Sequence, residues 1–393
     1  MKKNSINLKA AFLASVLSLG LMDLAGAAQY VYMTGSTAAR GATYSALISS
    51  NVFDSVPTFV GYSSSTASKC TYMAFSGTIT ISGVPTAVIV KCTWSGSEGG
   101  IRDISTGLSE PFLNDPGVGG VDSSNTGNTN TPSGTQLITN TVDLAMADND
   151  KAFSKNPNGA ITGTKVCIIP FAWVREKGSS SALTNVTDQQ LRQVMTGGAK
   201  LALFTGNPLD TNYVYVTGRD SESGTRVNAY GESGYGIFTS AFQIQVNSDG
   251  TMKDQSGLGD YVGDYGYSSG SGVAGQMGIN ITNIADPYNN RSNYNVIAYL
   301  GRSDANSAVN NGGTELSLNG VFESPATVKE GQYNFWGNEF VYRKNTTTTQ
   351  AQAVYDKLAA PTGISGSSDG STTIDLGLMH ATRAGPTTDP THP

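Results

Sequence analysis

Tyr213-Val214-Tyr215-Val216, followed closely by Arg219-Asp220-Ser221-Glu222-Ser223-Gly224-Thr225, is an apolar, strand-like run that empties into a turn. That turn carries a guanidinium, three hydroxyls and a flexible glycine within seven residues. If Thr225 to Tyr230 starts a helix, the unpaired N–H groups of its first turn and the positive end of its dipole face whatever Arg219 holds. Such a set of donors suits a tetrahedral oxyanion. Strand-like and helix-like segments alternate on either side of the stretch, which places the chain in the α/β class.

Moving toward the N-terminus, Asn185 to Met195 has an N-cap, an early acid and apolar spacing of four and three, the marks of an amphipathic helix ending near Gly197-Gly198. Val166 to Val174 reads as a buried strand, and Thr141 to Asp148 as another that ends in a carboxylate. Ser95 to Ile101 is a Gly-rich turn before a helix-like Ile101 to Leu108. At the start, a strand from Gln29 to Met33 runs into Thr34-Gly35-Ser36-Thr37 and a helical pattern from about Ala39 to Ser50, which Ser36 or Thr37 can cap. A capped helix N-terminus and an anion-binding one share a geometry and differ only in the acceptor. Asn114 to Gln136, rich in Gly, Asn, Ser and Thr without periodicity, reads as a long surface excursion or mobile loop. Beyond Thr225 come a strand at Asn295 to Leu300, an aromatic-rich run at Gln332 to Tyr342, a helix at Ala351 to Ala359 and a weakly ordered final twenty residues.

The chain of 393 residues exceeds what one core usually fills, so two domains are expected. Residues 1–28 read as an export signal: Lys2, Lys3 and Lys9, an apolar run from Ala10 to Leu21, and Ala25-Gly26-Ala27 as a small-residue cleavage site near Ala27 and Ala28. A periplasmic or extracellular location follows, with no later apolar run long enough to span a bilayer. The formal charge of −6 and the lack of a basic block argue against a nucleic-acid partner, and any anion must be held by local donors rather than a general field. Cys70 and Cys92 flank a hairpin-like segment turning at Ser82-Gly83-Val84-Pro85, which fits a disulfide in an oxidising compartment or two reduced buried thiols, and Cys167 reads as a core residue. Only His380 and His392 are present, both in the polar tail, which disfavours a Ser–His–Asp triad, a Cys–His pair or a His-ligated zinc site. The G-x-G-x-x-G at Gly270, Gly272 and Gly275 has no strand before it, and there is no phosphate loop of nucleotide enzymes, so no cofactor and no metal are expected.

Six of these segments, in order, resemble the type 2 periplasmic solute-binding proteins, specifically the phosphate-binding subunits of phosphate ABC transporters. They are Thr34 to Thr37, Gly96 to Ile101, Val142 to Asp148, Val186 to Gly197, Arg219 with Ser223-Gly224-Thr225, and Gly272 to Leu300. The resemblance implies a two-lobed α/β fold with a hinge and an interdomain cleft: lobe 1 over 29–165, lobe 2 over 166–331, and a return to lobe 1 with a flexible tail over 332–393. It implies a binding protein rather than an enzyme, with inorganic phosphate or a similar oxyanion as ligand and a transporter permease as partner. By the same resemblance Ser36, Thr37 and Ala38 supply a hydroxyl and backbone N–H groups, Ser97 donates, Asp148 accepts, and Arg219, Ser223, Gly224 and Thr225 close from the other lobe. Asp148 can accept a hydrogen bond from the proton of a phosphate, whereas sulfate at neutral pH offers none.

The chain departs from that family in three places. The acid expected two residues after the arginine stands at Asp220 instead, and Glu222 replaces a glycine, where it is expected to weaken or redirect anion binding. Arg40 adds a cation that either meets the ligand or pairs on the surface. The Cys70–Cys92 hairpin and the 114–136 loop count as insertions. Two rival readings remain: a secreted phosphatase that uses Asp148 or Ser97, and a surface or structural protein that keeps the fold without the affinity.

Overall fold

The long strand Ile161–Arg175 organises the molecule, because it pairs with different partners at its two ends. The structure is a computed structural model, which describes residues 27–392 apart from 124–126, 157, 254–264, 282–284, 287–290, 293 and 386. The stretch read as an export signal, 1–28, lies outside the described residues but for its last two.

The first part of the chain gives Gln29–Gly35 (β1), Arg40–Ile48 (α1), Thr58–Tyr62 (β2), Tyr72–Ile81 (β3), Val84–Cys92 (β4) and Ser97–Thr106 (α2). A small hairpin, Ser109–Leu113 (β5) and Leu137–Thr141 (β6), precedes Leu144–Ala147 (β7) and the long strand (β8). Then come Asp188–Gly197 (α3), Tyr213–Thr217 (β9), Gly224–Glu232 (α4), Gly270–Gln276 (α5) and Tyr294–Gly301 (β10). Arg302–Asn310 (α6), Thr314–Leu318 (β11), Trp336–Lys344 (β12) and Thr349–Ala359 (α7) complete the set that positions the site.

Local chemistry accounts for these elements. Thr187 and Gln190 close a capping box at the start of α3, and Leu191, Val194 and Met195 form its buried stripe. Residues 166–174 are buried on both faces, as a strand covered on both sides of a sheet must be. In one half of the sheet the order is β2-β3-β4-β1-β7-β12-β8. In the other, β8 continues into β10 and β9, with β11 also paired to it. The partner change falls at Pro170 and Phe171, where Pro170 faces Trp336 and Phe171 faces Gly301. Proline has no N–H to give a ladder, so it suits the point where one set of bonds stops and the next begins. The α/β class and the two-lobed architecture are therefore as the sequence implied.

Two local expectations are corrected, those for the disulfide and for the C-terminal tail. The disulfide is not formed: Cys70, Cys92 and Cys167 are all free and buried. Cys92 lies opposite Met73 within the β3–β4 ladder, whereas Cys70 sits outside it, with its thiol donating to the Ser64 carbonyl at 3.3 Å. Thiol titration is expected to find no reactive group in the folded protein and three after unfolding, and recovery of only one would restore the disulfide. The hairpin places β4 parallel to β1, from Gln29 opposite Val88 to Met33 opposite Cys92. Its turn at Ser82 and Gly83 has positive φ at both residues, 50° and 81°, as the twist of a two-residue hairpin requires. Among its described residues the 114–136 segment runs over the surface, as the sequence suggested, and Asp115 near its start pairs with the fully buried Lys91 at 2.7 Å. The C-terminal residues are packed rather than loose: Ile374 exchanges two backbone bonds with Ile168, and buried Arg383 pairs with Glu232 at 2.6 Å.

Candidate functional site

Three loop-to-helix junctions and the end of β7 meet where the two halves of the sheet join. β1 ends at Gly35, whose φ of 116° only glycine adopts at ease, and whose position against the Met146 backbone leaves no room for a Cβ. The chain then turns so that Ser36 N–H donates to the Met146 carbonyl at 2.8 Å and Ser36 Oγ donates to Glu339 at 3.1 Å. Gly96, with φ of 89°, opens α2 and brings Ser97 beside the end of β7. There Ser97 Oγ donates to Asp148 Oδ1 at 2.7 Å.

The other lobe supplies the facing groups. Thr225 Oγ1 donates to Asp148 Oδ2 at 3.4 Å, and Asn228 on α4 donates to the Asp148 carbonyl at 2.8 Å. Gly224 lies so close that a Cβ there would overlap Asp148 Oδ1 and come within 2.7 Å of Ser97 Cβ and Asn149 Oδ1. Arg219 is buried, and its guanidinium donates to Thr37 Oγ1 at 3.2 Å and to the carbonyls of Tyr267 and Ser268 at 3.1 and 2.9 Å. The Tyr299 hydroxyl fixes its backbone, accepting from Arg219 N–H at 3.1 Å. Burial pushes the Asp148 carboxyl above its ordinary range, and Ser97, Arg219 and Thr225 pull it back only in part.

Of the nine residues singled out in the sequence, Ser97, Asp148, Gly224 and Thr225 meet directly. Arg219 and Thr37 meet each other, and Arg219 acts on Asp148 through its charge. Ala38 lies with Thr37 on the wall of an adjoining cavity. Ser36 turns aside toward Glu339, while Ser223 is buried and its hydroxyl has no hydrogen-bond partner among the described residues.

Glu222 does not point at this cluster. Its carboxylate pairs with Arg102 at 2.7 Å and Lys155 at 3.1 Å, so two cations of the first lobe hold it. Its backbone does enter the site, because the Glu222 carbonyl accepts from Glu98 and Gly99 N–H at 2.9 and 3.3 Å. Asp220 caps its own turn by accepting from Glu222 N–H at 3.2 Å.

Glu339 was missed in the sequence. It is fully buried on β12, and burial, followed by the nearby Asp148 charge, pushes its carboxyl well above the ordinary range. The available signal was a lone acid inside the apolar run Phe335 to Val341. Among the described residues no group of three His, Cys, Asp or Glu is placed to hold a metal ion, and no helix is long and apolar enough to cross a membrane.

No family model and no curated protein matches the sequence. Among solved structures, the fold is similar to a protein of Clostridium perfringens described as a phosphate ABC transporter substrate-binding protein and solved with bound phosphate. The TM-score is 0.51 at 14% identity, covering 88% of this chain and 100% of that one. An ABC-type phosphate transport receptor of Vibrio cholerae aligns with a TM-score of 0.45 at 12% identity over 84% of this chain and 94% of its own. The likeness of fold rests on the first of these.

Proposed function

We propose that this chain is an exported solute-binding protein that takes inorganic phosphate, or a closely related tetrahedral oxyanion, into the cleft between its lobes and performs no chemistry on it. The observation that carries this reading is the meeting of Ser97 and Asp148 from one lobe with Thr225 and Gly224 from the other, beside buried Arg219. A dehydrated oxyanion needs several fixed donors, and hydroxyls, helix-start amides and a guanidinium provide them. Ser223, buried and unpaired, is a further donor for the ligand. Thr37 and Ala38 contribute from the β1–α1 loop, and Ser36 orients that loop through Glu339. Entry requires the cleft to open, after which ligand oxygens exchange for Asp148 at Ser97 and Thr225. Delivery of the ligand to a membrane permease fits the same design.

Titration calorimetry with phosphate tests the reading; absence of heat with phosphate, arsenate and sulfate alike would overturn it. Arg219→Ala is expected to weaken phosphate binding about 10- to 100-fold, the loss of one charged hydrogen bond worth about 1.5–3 kcal/mol. Preference for phosphate over sulfate should be greatest where Asp148 is ionised. It should shrink as pH falls through that carboxyl's raised range, because a protonated Asp148 can donate to sulfate. Asp148→Asn should remove this pH dependence, as measured by the ratio of the two dissociation constants.

A second reading has its own support. Ser97 and Thr225 are already engaged by Asp148, and the first amides of α2 by Glu222. A protein that retains the fold as a closed surface component would look the same. It would show no oxyanion heat, and Arg219→Ala would leave its self-association or cell-surface retention unchanged.

A further inference from the structure

A cavity of about 540 Å3 lies beside the Arg219–Thr37 contact, bounded by the first turns of α1 and α6 and by the loop carrying Lys69. It is far larger than one oxyanion and falls in the size range of sites for small organic molecules. Most of its described wall is serine and threonine, and none of the described lining residues is aromatic. Three charged side chains face it without partners. Among the described residues, the Arg40 guanidinium, the Lys69 ammonium and the Asp304 carboxylate have no hydrogen bond or ion pair. They feel one another only at longer range, with Arg40, Lys69 and Arg219 each favouring the ionised form of Asp304 against its burial. The remaining charge on the wall, Asp369, is already taken by its own loop, accepting from Ser371 and Thr372 N–H at 2.8 and 2.7 Å. Arg40 and Asp304 are half-buried and Lys69 is exposed, so all three can meet a ligand entering the cavity without first giving up a protein partner.

We propose that this cavity binds a phosphate monoester of a polyol, a molecule of sugar-phosphate size. Arg40 offers a planar fork of donors and Lys69 a point charge, more than a two-oxygen carboxylate would use and a match for the three terminal oxygens of a phosphate ester. Ser36 Oγ accepts from Ala39 N–H at 3.4 Å just before α1, while Arg40, Gly41 and Ala42 line the cavity, so the amides of its first turn serve the same anion. At the other wall, Asp304 can accept from two sugar hydroxyls, and the surrounding Ser and Thr hydroxyls both donate and accept. Among the described lining residues no ring offers a nucleobase a stacking partner, whereas the hydroxyls suit a polyol. This site goes beyond the phosphate reading, since it shares only Thr37 and Ala38 with that cluster and does not require the Asp148 position to be filled.

Calorimetry on the full chain with glucose 6-phosphate, glucose, gluconate and inorganic phosphate tests it. Glucose 6-phosphate is expected to bind at least tenfold more tightly than glucose or gluconate, and its heat to persist when inorganic phosphate saturates the Asp148 cluster. Arg40→Gln should weaken that binding tenfold or more. Ser45→Phe, which fills the cavity from α1, should remove it while leaving the heat of inorganic phosphate unchanged, and Ser307→Phe does the same from α6 should the first variant melt early. Equal binding of gluconate and glucose 6-phosphate, or binding indifferent to Arg40→Gln and to both fillings, overturns the proposal. No heat with inorganic phosphate beside a normal glucose 6-phosphate isotherm supports it and sinks the Asp148 reading. Heat with inorganic phosphate and none with glucose 6-phosphate overturns the proposal and leaves the Asp148 reading standing.

Discussion

Alanine at position 224 is expected to abolish phosphate binding while both lobes stay folded. Gly224 starts α4 with an ordinary negative φ, so its backbone accepts alanine, and alanine is the better helix former by about 1 kcal/mol. The obstacle comes from across the cleft. The added methyl would overlap the Asp148 carboxylate and press on Ser97 and Asn149, all from the opposite lobe. Forced overpacking typically costs about 1–3 kcal/mol, and here the lobes can escape it by staying apart. The donors of Arg219 and Thr225 would then never reach an anion held at Ser97. Calorimetry should show no heat, and small-angle scattering should show a larger radius of gyration than the unaltered protein. Native affinity in this variant would mean that the closed contact is not the binding arrangement.

Replacing Arg383 with methionine is expected to destabilise the fold by about 3–5 kcal/mol at pH 8, the usual consequence of stranding one partner of a buried ion pair. Arg383 is buried, pairs with Glu232 at 2.6 Å, stacks over the Trp336 ring at 4.5 Å and donates to the Trp336 carbonyl. Burial pushes Glu232 up to about 7, although Arg383 pulls it down, and burial lowers Arg383 in turn. The sign of the pH effect follows. A carboxyl raised on folding binds its proton more tightly in the folded state than in the unfolded one. Its contribution is therefore most favourable below the unfolded carboxyl range and declines as pH rises through about 7. Without Arg383 the acid can still be neutralised by a proton, so the loss should be smaller at pH 5 than at pH 8. Urea unfolding at both values checks this, and an equal loss at each would show that packing on Trp336, rather than charge, is what matters.

What could be read from the sequence was what is encoded locally. The capping box of Thr187 and Gln190, the buried run from Val166 and the glycine-led start at Ser97 all announce themselves within a few residues. Ser97, Asp148 and Thr225 were named through the family resemblance, whose motifs lie within a few residues of one another along the chain and so could be matched locally. The illegible part depends on register and distance. Whether Cys70 meets Cys92 is decided by which residue of β3 faces Cys92, and that residue is Met73. Glu222 looked like a threat to an anion because Arg102 and Lys155, its partners, lie 120 and 67 residues away. The packed C-terminus escaped notice because its polar composition resembles a solvated tail, while its anchors, Ile168 and Glu232, belong to distant elements.

The long strand β8 also limits how this molecule can diversify. Since one continuous backbone serves as a ladder rung for neighbours on both sides of Pro170, neither half can be excised with all its amides matched. A chimaera that grafts a foreign half onto this one would have to import the strand together with its flanking partners. New ligand preferences are thus more easily acquired at the rim, one side chain at a time, than by wholesale exchange.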